Sequence, residues 1–293
     1  MTSAMPTLPD ELYQELCNAL DGEDKIVTIS PLSAAHDAFI YRLALTDGSR
    51  CVAKMSPQGG DDLEVFMLNY IHDKGDLPIP DIIYASDTLI VMSYIAADWQ
   101  RSAKADEHAA DLLAHMHMVE ADFYGFERDT TIGSLIQPND RSDDWIKFFI
   151  DQRLLYMGRA ALEEEKIKAA QMKKLEKLCN KIPEIFGKTD ISTPRLIHGD
   201  LWDGNILAVE DKIAAFIDPS IYYADPEVEL AFTTLFDTFG KAFFRRYNEH
   251  IPIRAGFFEE RCDIYNIYAL LVHARLFGIS YARRAEHIMD RFL

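Results

Sequence analysis

Three acceptor side chains recur at a defined spacing within the stretch LIHGDLWDGNILAVEDKIAAFIDPS, residues 196–220. Asn205 follows Asp200 by five positions, and Asp218 follows Asn205 by thirteen. Amide and carboxylate oxygens are hard ligands that suit Mg²⁺, so Asn205 and Asp218 are predicted to bind the metal. A separate carboxylate, Asp200, is predicted to orient an acceptor hydroxyl and take its proton. The pattern therefore predicts phosphoryl transfer from ATP, with Mg²⁺ offsetting the charge of the transferred group.

Two residues flank the predicted base. His198 precedes Asp200 by two positions, and we expect it to hold the loop through hydrogen bonds rather than to take part in the chemistry. Trp202 has two open interpretations, since it either packs in the core or lines the acceptor pocket.

A phosphate-binding lysine is expected earlier in the chain. Lys54 lies near the end of the predicted strand 50–55, which follows an Asp47-Gly48 hairpin turn. Glu64 lies one turn into the predicted helix 61–73, and we expect it to pair with Lys54. The order strand-Lys, helix-Glu, strand, catalytic loop favours a nucleotide site over an ordinary surface ion pair.

The strand predicted over 88–95 leads out of this first part of the chain. Its last residues are predicted to place backbone groups beside a bound adenine, an inference from position alone: Met92, Ser93, Tyr94 and Ile95.

The chain changes character after residue 95. Residues 1–95 contain most of the predicted strands, whereas residues 96–293 contain mostly helical patterns with only two short strands, near 206–209 and 213–217. We therefore predict an α+β, bilobal fold. Its small lobe, 1–95, binds the nucleotide, and its larger lobe, 96–293, carries the catalytic and substrate residues.

Composition excludes several classes of protein. The 293 residues include 48 Asp and Glu against 30 Lys and Arg, a formal net charge of −18. Phosphate backbones and anionic membranes repel such a chain, so neither nucleic acid nor membrane is an expected partner. The four cysteines are far apart in sequence, which argues against a zinc motif or a disulfide framework. The N-terminal segment does not resemble a secretory signal, and a cytoplasmic location is expected.

The motifs resemble those of the fructosamine (ketosamine) kinases, within the wider aminoglycoside-phosphotransferase and protein-kinase-like superfamily. The resemblance is carried by HGDLWDGNIL at 198–207, DPSIYYADPEVELAFTTLFDTF at 218–239, DDWIKFFIDQRL at 143–154 and HARLFGISYARRA at 273–285. It implies a bilobal kinase fold and phosphorylation by Mg-ATP of a hydroxyl on an amine-linked ketose. It also implies the roles already assigned to Lys54, Glu64, Asp200, Asn205 and Asp218.

Two departures accompany the resemblance. The loop expected to cover the nucleotide, at 29–39, contains no glycine, and its polar candidates are Ser30, Ser33 and His36. Glu229 stands where the family more often has Asp.

Residues 196–240 hold nine acidic residues and one basic residue. This excess predicts that Asp225 and Glu227 attract a cationic, amine-bearing acceptor, although acidic residues here could also favour a helix N-terminus. Alternative acceptors in the same fold are an aminoglycoside, a choline-like amine or another sugar. A catalytically silent nucleotide-binding regulator is the alternative from another class. The oligomeric state is left open, with a monomer as the simplest expectation.

Overall fold

The computed structural model describes residues 10–34, 38–57, 59–98, 100–187 and 191–293, without the side chains of residues 33, 34 and 61. The first third of the chain forms a sheet, and the remainder is mostly helical. The predicted α+β class is therefore confirmed. His36 of the predicted nucleotide loop and the side chain of Ser33 lie outside the described part of the chain.

The sheet has five antiparallel strands in the order β1-β2-β3-β5-β4. Its strands are β1 (Ile26–Ala34), β2 (Phe39–Leu45), β3 (Arg50–Met55), β4 (Ile82–Ala85) and β5 (Leu89–Ser93). Helix α1 (Asp10–Ala19) precedes it, and helix α2 (Asp61–Gly75) connects β3 to β4. The hairpin at Asp47-Gly48 and the helix predicted over 61–73 are both confirmed.

Strand β1 differs from the sequence prediction, which had a loop begin at residue 29. The strand instead continues to Ala34 along β2, with register shifts between Ile26 and Thr28 and between Pro31 and Ser33. A proline has no N–H to donate to a ladder and is tolerated in an edge strand or at a bulge, and Pro31 meets both conditions. The stretch without glycine is thus strand, rather than loop, as far as Ala34.

Two hydrophobic cores stabilise the chain. The smaller core places Leu12, Leu16 and Leu20 against buried residues of the sheet, including Leu43 and Ala53. The larger core collects the helices after residue 100 and also takes Met67 and Ile71 of α2, so α2 packs with the helical part while its first turn lies beside the sheet.

The helical part contains three two-stranded ladders. They pair β6 (Thr130–Ile132) with β7 (Leu135–Gln137), β8 (Arg195–Ile197) with β11 (Tyr222–Ala224), and β9 (Ile206–Val209) with β10 (Lys212–Phe216). The β9–β10 hairpin confirms the two short strands predicted after the catalytic loop. The other two ladders were not predicted, because three-residue strands are too short to show a period.

Eight α-helices complete the described fold: α3 (Ala103–Met116), α4 (Trp145–Phe148), α5 (Tyr156–Glu163), α6 (Ala169–Phe186), α7 (Glu227–Leu235), α8 (Lys241–His250), α9 (Cys262–Phe277) and α10 (Ile279–Phe292). A π-helical segment, Phe149–Leu155, joins α4 to α5. None of the helices within the described ranges is long and apolar enough to cross a membrane. All four cysteines are buried and unpaired.

Candidate active site

Lys54 reaches the site because successive side chains of β3 point to opposite faces of the sheet. Cys51, Ala53 and Met55 point into the small core, so Lys54 lies on the opposite face of the sheet. There its ammonium group contacts the Glu64 carboxylate, as predicted, and also lies 2.8 Å from Oδ1 of Asp218. The sheet and the segment after β10 therefore meet at this lysine.

The charges of this contact favour the ionised forms of Lys54 and Asp218, whereas burial raises the pKa of Glu64 to about 8. Burial alone would lower the pKa of Lys54, but the carboxylates of Asp218 and Glu64 outweigh it and raise the pKa above its ordinary value. Burial opposes ionisation of Asp218 in the same way, and Lys54 nevertheless holds the pKa of Asp218 below its usual range. The pair is therefore an ammonium and a carboxylate at neutral pH.

Asn205 ties Asp200 to the hairpin that follows. Its Nδ2 donates to the Asp200 carbonyl at 2.8 Å and to Asp200 Oδ2 at 3.1 Å. The Ile217 N–H donates to the Asn205 carbonyl at 3.1 Å, which places Asp218 next to the turn. Asp200, Asn205 and Asp218 are thus brought together. Burial, followed by the nearby charge of Asp218, raises the pKa of Asp200 to about 7.

His198 lies beneath this loop and is fully buried. The Asp200 N–H donates to its Nδ1 at 3.3 Å, so the other nitrogen, Nε2, carries the proton and donates to the Ile217 carbonyl at 3.1 Å. Burial lowers the pKa of His198, in keeping with a neutral ring. These bonds join the residues before Asp200 to the residue before Asp218.

Gly199 fixes the backbone position of Asp200. Its φ of +85° is in the left-handed region, and a Cβ built on it would lie 2.1 Å from the Ser220 carbonyl oxygen. The Gly199 N–H donates to Glu229 at 2.7 Å, and the other oxygen of Glu229 accepts from His117 Nε2 at 2.8 Å. The sequence analysis missed His117, because nothing in local spacing relates residues 112 positions apart.

The predicted adenine segment lies at the exit of the sheet. Met92 is buried, the Ser93 N–H donates to the Asp81 carbonyl at 2.9 Å, and the Tyr94 N–H donates to the Arg50 carbonyl at 3.2 Å. Ile95 follows and its carbonyl accepts from Ala97. The contact of these four residues with adenine stays a prediction.

The segment after Ile95 is bound to the β9–β10 hairpin. The Asp98 N–H donates to the Ala208 carbonyl at 2.8 Å, and the Asp98 carboxylate accepts from the Glu210 N–H at 2.5 Å. The Ser102 hydroxyl donates to Asp211 at 2.8 Å, while Arg101 pairs with Asp203 on the catalytic loop. The chain between the sheet and α3 is therefore fastened to the catalytic hairpin.

Trp202 is 42% exposed, so the interpretation that it packs in the core is wrong. Its indole lies over Gly204, where an added Cβ would come within 2.5 Å of the ring. The exposed ring follows Asp200 by two positions in sequence, and its contact with an acceptor stays a prediction.

Asp225 and Glu227 do not face an open cleft as acidic groups. Both are buried, and they share Arg254, whose Nη2 lies 2.5 Å from Asp225 and 2.8 Å from Glu227. Glu227 also binds Arg261 Nε at 2.6 Å, and the Tyr265 hydroxyl donates to Asp225 at 3.1 Å. Since the partly buried Arg254 and the buried Arg261 neutralise the two carboxylates, this placement argues against the predicted attraction of a cationic acceptor.

Comparison with solved structures defines the class of protein. The crystal structure of a "putative fructosamine-3-kinase" from Thermobifida fusca superposes with a TM-score of 0.80 at 26% identity, over 90% of this chain and 93% of that one. The gentamicin complex of APH(2'')-IIa superposes with a TM-score of 0.67 at 17% identity, over 98% and 97% of the two chains, which shows the fold alone. The fold is that of the kinase-like phosphotransferases.

Sequence comparison identifies the family. The fructosamine kinase family model matches residues 62–293. A "probable ketoamine kinase" of Enterococcus faecium is 31% identical over 201 residues, 68% of this chain and 72% of that protein. The "protein-ribulosamine 3-kinase, chloroplastic" of Arabidopsis thaliana is 34% identical over 224 residues, 76% of this chain and 65% of that protein. The chain belongs to the fructosamine kinase family, and the resemblance found in its motifs is confirmed.

Gly199 provides a test of the loop geometry. We expect Gly199→Ala to lower kcat by about 100-fold or more, because the new methyl group meets the Ser220 carbonyl and must displace Asp200. Gly48→Ala is the matched control: its φ is also +85°, but a Cβ there has nothing within 4 Å. It should cost about 1 kcal/mol of stability and leave kcat unchanged. Equal kcat values in the two variants would contradict this account.

The buried charge cluster gives a stability prediction. Glu227→Gln should lower the free energy of unfolding by about 3 kcal/mol, because it leaves a buried positive charge uncompensated. Asp151→Asn, at the exposed pair with Lys147, should change it by less than about 1 kcal/mol. Urea unfolding of both variants measures the difference. A fully stable Glu227→Gln variant with a raised KM for the acceptor would instead support the electrostatic role inferred from sequence.

Proposed function

We propose that this protein transfers the γ-phosphoryl group of Mg-ATP to a hydroxyl of an amine-linked ketose, of the fructosamine or ribulosamine type. The observation that carries the proposal is the meeting of Lys54, Glu64, Asp200, Asn205 and Asp218 at one site of a chain that belongs to the fructosamine kinase family. The relatives named ketoamine kinase and protein-ribulosamine 3-kinase support the acceptor class.

Each group at this site has a role that its surroundings suit. Asp200 accepts a proton from the acceptor hydroxyl and orients that oxygen toward the phosphorus, and its Oδ2 is held in place by Asn205. Lys54 offsets negative charge on the nucleotide phosphates, and Glu64 holds the lysine side chain in position. His198 is a positioning residue, since both of its ring nitrogens bind loop backbone.

The residues present fit Mg²⁺. Asn205 uses its Nδ2 on Asp200, which leaves its amide oxygen for ligation, and Asp218 supplies a partly exposed carboxylate beside it. Within the described residues no three His, Cys, Asp or Glu side chains form a metal cluster. Two protein ligands match a magnesium ion that takes its remaining ligands from water and phosphate oxygens. When bound, the ion would neutralise charge that develops on the phosphoryl oxygens.

Nucleotide binding and catalysis are assigned to different regions of the chain. We propose that residues 1–95 bind the nucleotide through Lys54 and the strand exit at Met92, Ser93, Tyr94 and Ile95, and that residues 96–293 supply the base and the acceptor site. Trp202, exposed and two positions after Asp200, is a further candidate for acceptor contact. We also propose a cytoplasmic location, supported by four unpaired cysteines. A monomer stays a prediction.

Other acceptors receive less support. The likeness to aminoglycoside phosphotransferases is at 17% identity and concerns the fold, whereas the sequence relatives are named for ketoamines and ribulosamines. A silent nucleotide-binding regulator would have no need of the complete, mutually bonded set of catalytic side chains found here.

Asp200 is the sharpest test of the reaction. With Mg-ATP and a panel of ketosamines, ribulosamines, aminoglycosides and free sugars, mass spectrometry should find phosphorylated ketosamine or ribulosamine. Asp200→Asn should lower kcat by about 10²- to 10⁴-fold without unfolding the protein, because the general base is lost. Asp203→Asn, on the same loop but exposed and paired with Arg101, should stay within a few-fold of the unaltered protein. Full turnover by Asp200→Asn would refute the assignment of the base.

The metal ligands are tested through nucleotide binding. Asp218→Asn removes a formal charge from the donor set, so calorimetric titration should show ADP binding that no longer tightens when Mg²⁺ is added. The exposed Asp211, which pairs with Lys104, provides the control variant Asp211→Asn with Mg²⁺ dependence intact. An unchanged magnesium effect in Asp218→Asn would exclude this residue as a ligand.

A further inference from the structure

Four aromatic rings surround His273 at the end of helix α9. Their centroids lie at 4.9 Å (Phe236), 5.1 Å (Tyr281), 5.3 Å (Phe277) and 6.1 Å (Phe232) from the imidazole centroid. They come from the end of α7, the end of α9 and the start of α10. We call these five residues the aromatic collar.

The hydrophobic core does not cover the collar. Phe277 is 58% exposed, and the neighbouring Ile279 is 53% exposed. Phe236, His273 and Tyr281 are each partly exposed, whereas Phe232 is buried at the base. A contiguous group of exposed apolar side chains is a candidate binding region.

A cavity relates the collar to the catalytic loop. Its lining includes Gly199, which precedes Asp200, as well as Phe232 and His273 of the collar. Helix α7 links the same two regions, since Glu229 holds the Gly199 N–H and Phe236 follows seven residues later, roughly 10 Å along the helix axis. The cavity itself is about 20 Å³, room for a water molecule rather than a sugar, so a ligand would lie against the exposed rings.

The collar offers carbon surface rather than charge. Burial lowers the pKa of His273, whose Nδ1 donates to the Ala269 carbonyl at 2.8 Å, so the ring is neutral. Arg284 lies near the imidazole and donates to the Leu235 carbonyl at 3.4 Å. The acidic residues that the sequence favoured for recognition, Asp225 and Glu227, are already bound to arginines. Affinity at the collar must therefore come from the burial of apolar groups.

We propose that the aromatic collar binds the carbon substituent on the nitrogen of the acceptor, which we call the arm. This inference rests on the proposed function: the ketose lies at Asp200, and the arm extends over Phe236 toward Phe277 and Tyr281. The collar thereby selects acceptors by the length and apolarity of the amine substituent, a property separate from recognition of the sugar.

The test is a series of acceptors that share one ketose and differ in the amine: methylamine, propylamine and hexylamine. In the unaltered protein, KM should fall by about two- to fourfold for each methylene buried, with kcat and the KM for ATP unchanged. Phe277→Ser and Tyr281→Ser should flatten this dependence on length. Phe277→Leu should restore part of it, because leucine again supplies apolar surface.

Phe258→Ser is the matched control. Phe258 is 55% exposed, like Phe277, but it makes its ring contacts with Phe244 and Phe257. Its variant should keep the full dependence on arm length, and thermal unfolding should show all variants folded. The inference is overturned if KM does not depend on arm length in the unaltered protein, or if Phe277→Ser and Tyr281→Ser keep that dependence. If no ketosamine is phosphorylated at all, the proposed function fails instead.

Discussion

The ion pair between Lys54 and Asp218 is the contact on which the catalytic geometry depends, because it joins two regions 164 residues apart in sequence. The lysine is available for this contact only because successive side chains of β3 point to opposite faces of the sheet, with Cys51, Ala53 and Met55 in the small core. Asp218 is available only because the β9–β10 hairpin returns the chain to the catalytic loop, where Asn205 and His198 bind the backbone at Ile217. Packing on one side and hydrogen bonding on the other thus determine where the two charges meet.

Local sequence was sufficient to predict the parts of the site whose residues are close together in the chain. Asp200, Asn205 and Asp218 lie within one loop and hairpin, and Lys54 and Glu64 lie on consecutive elements, so spacing and element order predicted their proximity. The loop expected over 29–39 came from the family resemblance, and the chain there is strand as far as Ala34, since an edge strand accepts Pro31. The contacts of Glu229 with His117, and of Asp225 and Glu227 with Arg254 and Arg261, depend on tertiary packing that no local period encodes.

The placement of Asp225 and Glu227 also changes the meaning of the net charge of −18. An excess of acidic residues in 196–240 suggested an electrostatic attraction for amines, yet part of that excess is internal and balanced by arginines from the segment that follows α8. Buried ion pairs of this kind contribute little net stability compared with apolar packing, but the loss of one member is costly. Composition therefore reports how many charges a chain carries, and only the fold reports how many remain available to a ligand.

The attachment of Asp98 and Ser102 to the β9–β10 hairpin has a mechanical consequence. Because these residues move with the catalytic hairpin, any rotation of the sheet relative to the helices has to bend the backbone between Ser93 and Ala97. Small angular changes there displace the far edge of the sheet, at β1, more than they displace Lys54, because β2 and β3 lie between β1 and β5. Substrate entry could thus widen the outer cleft while the lysine stays near the carboxylate that it pairs with.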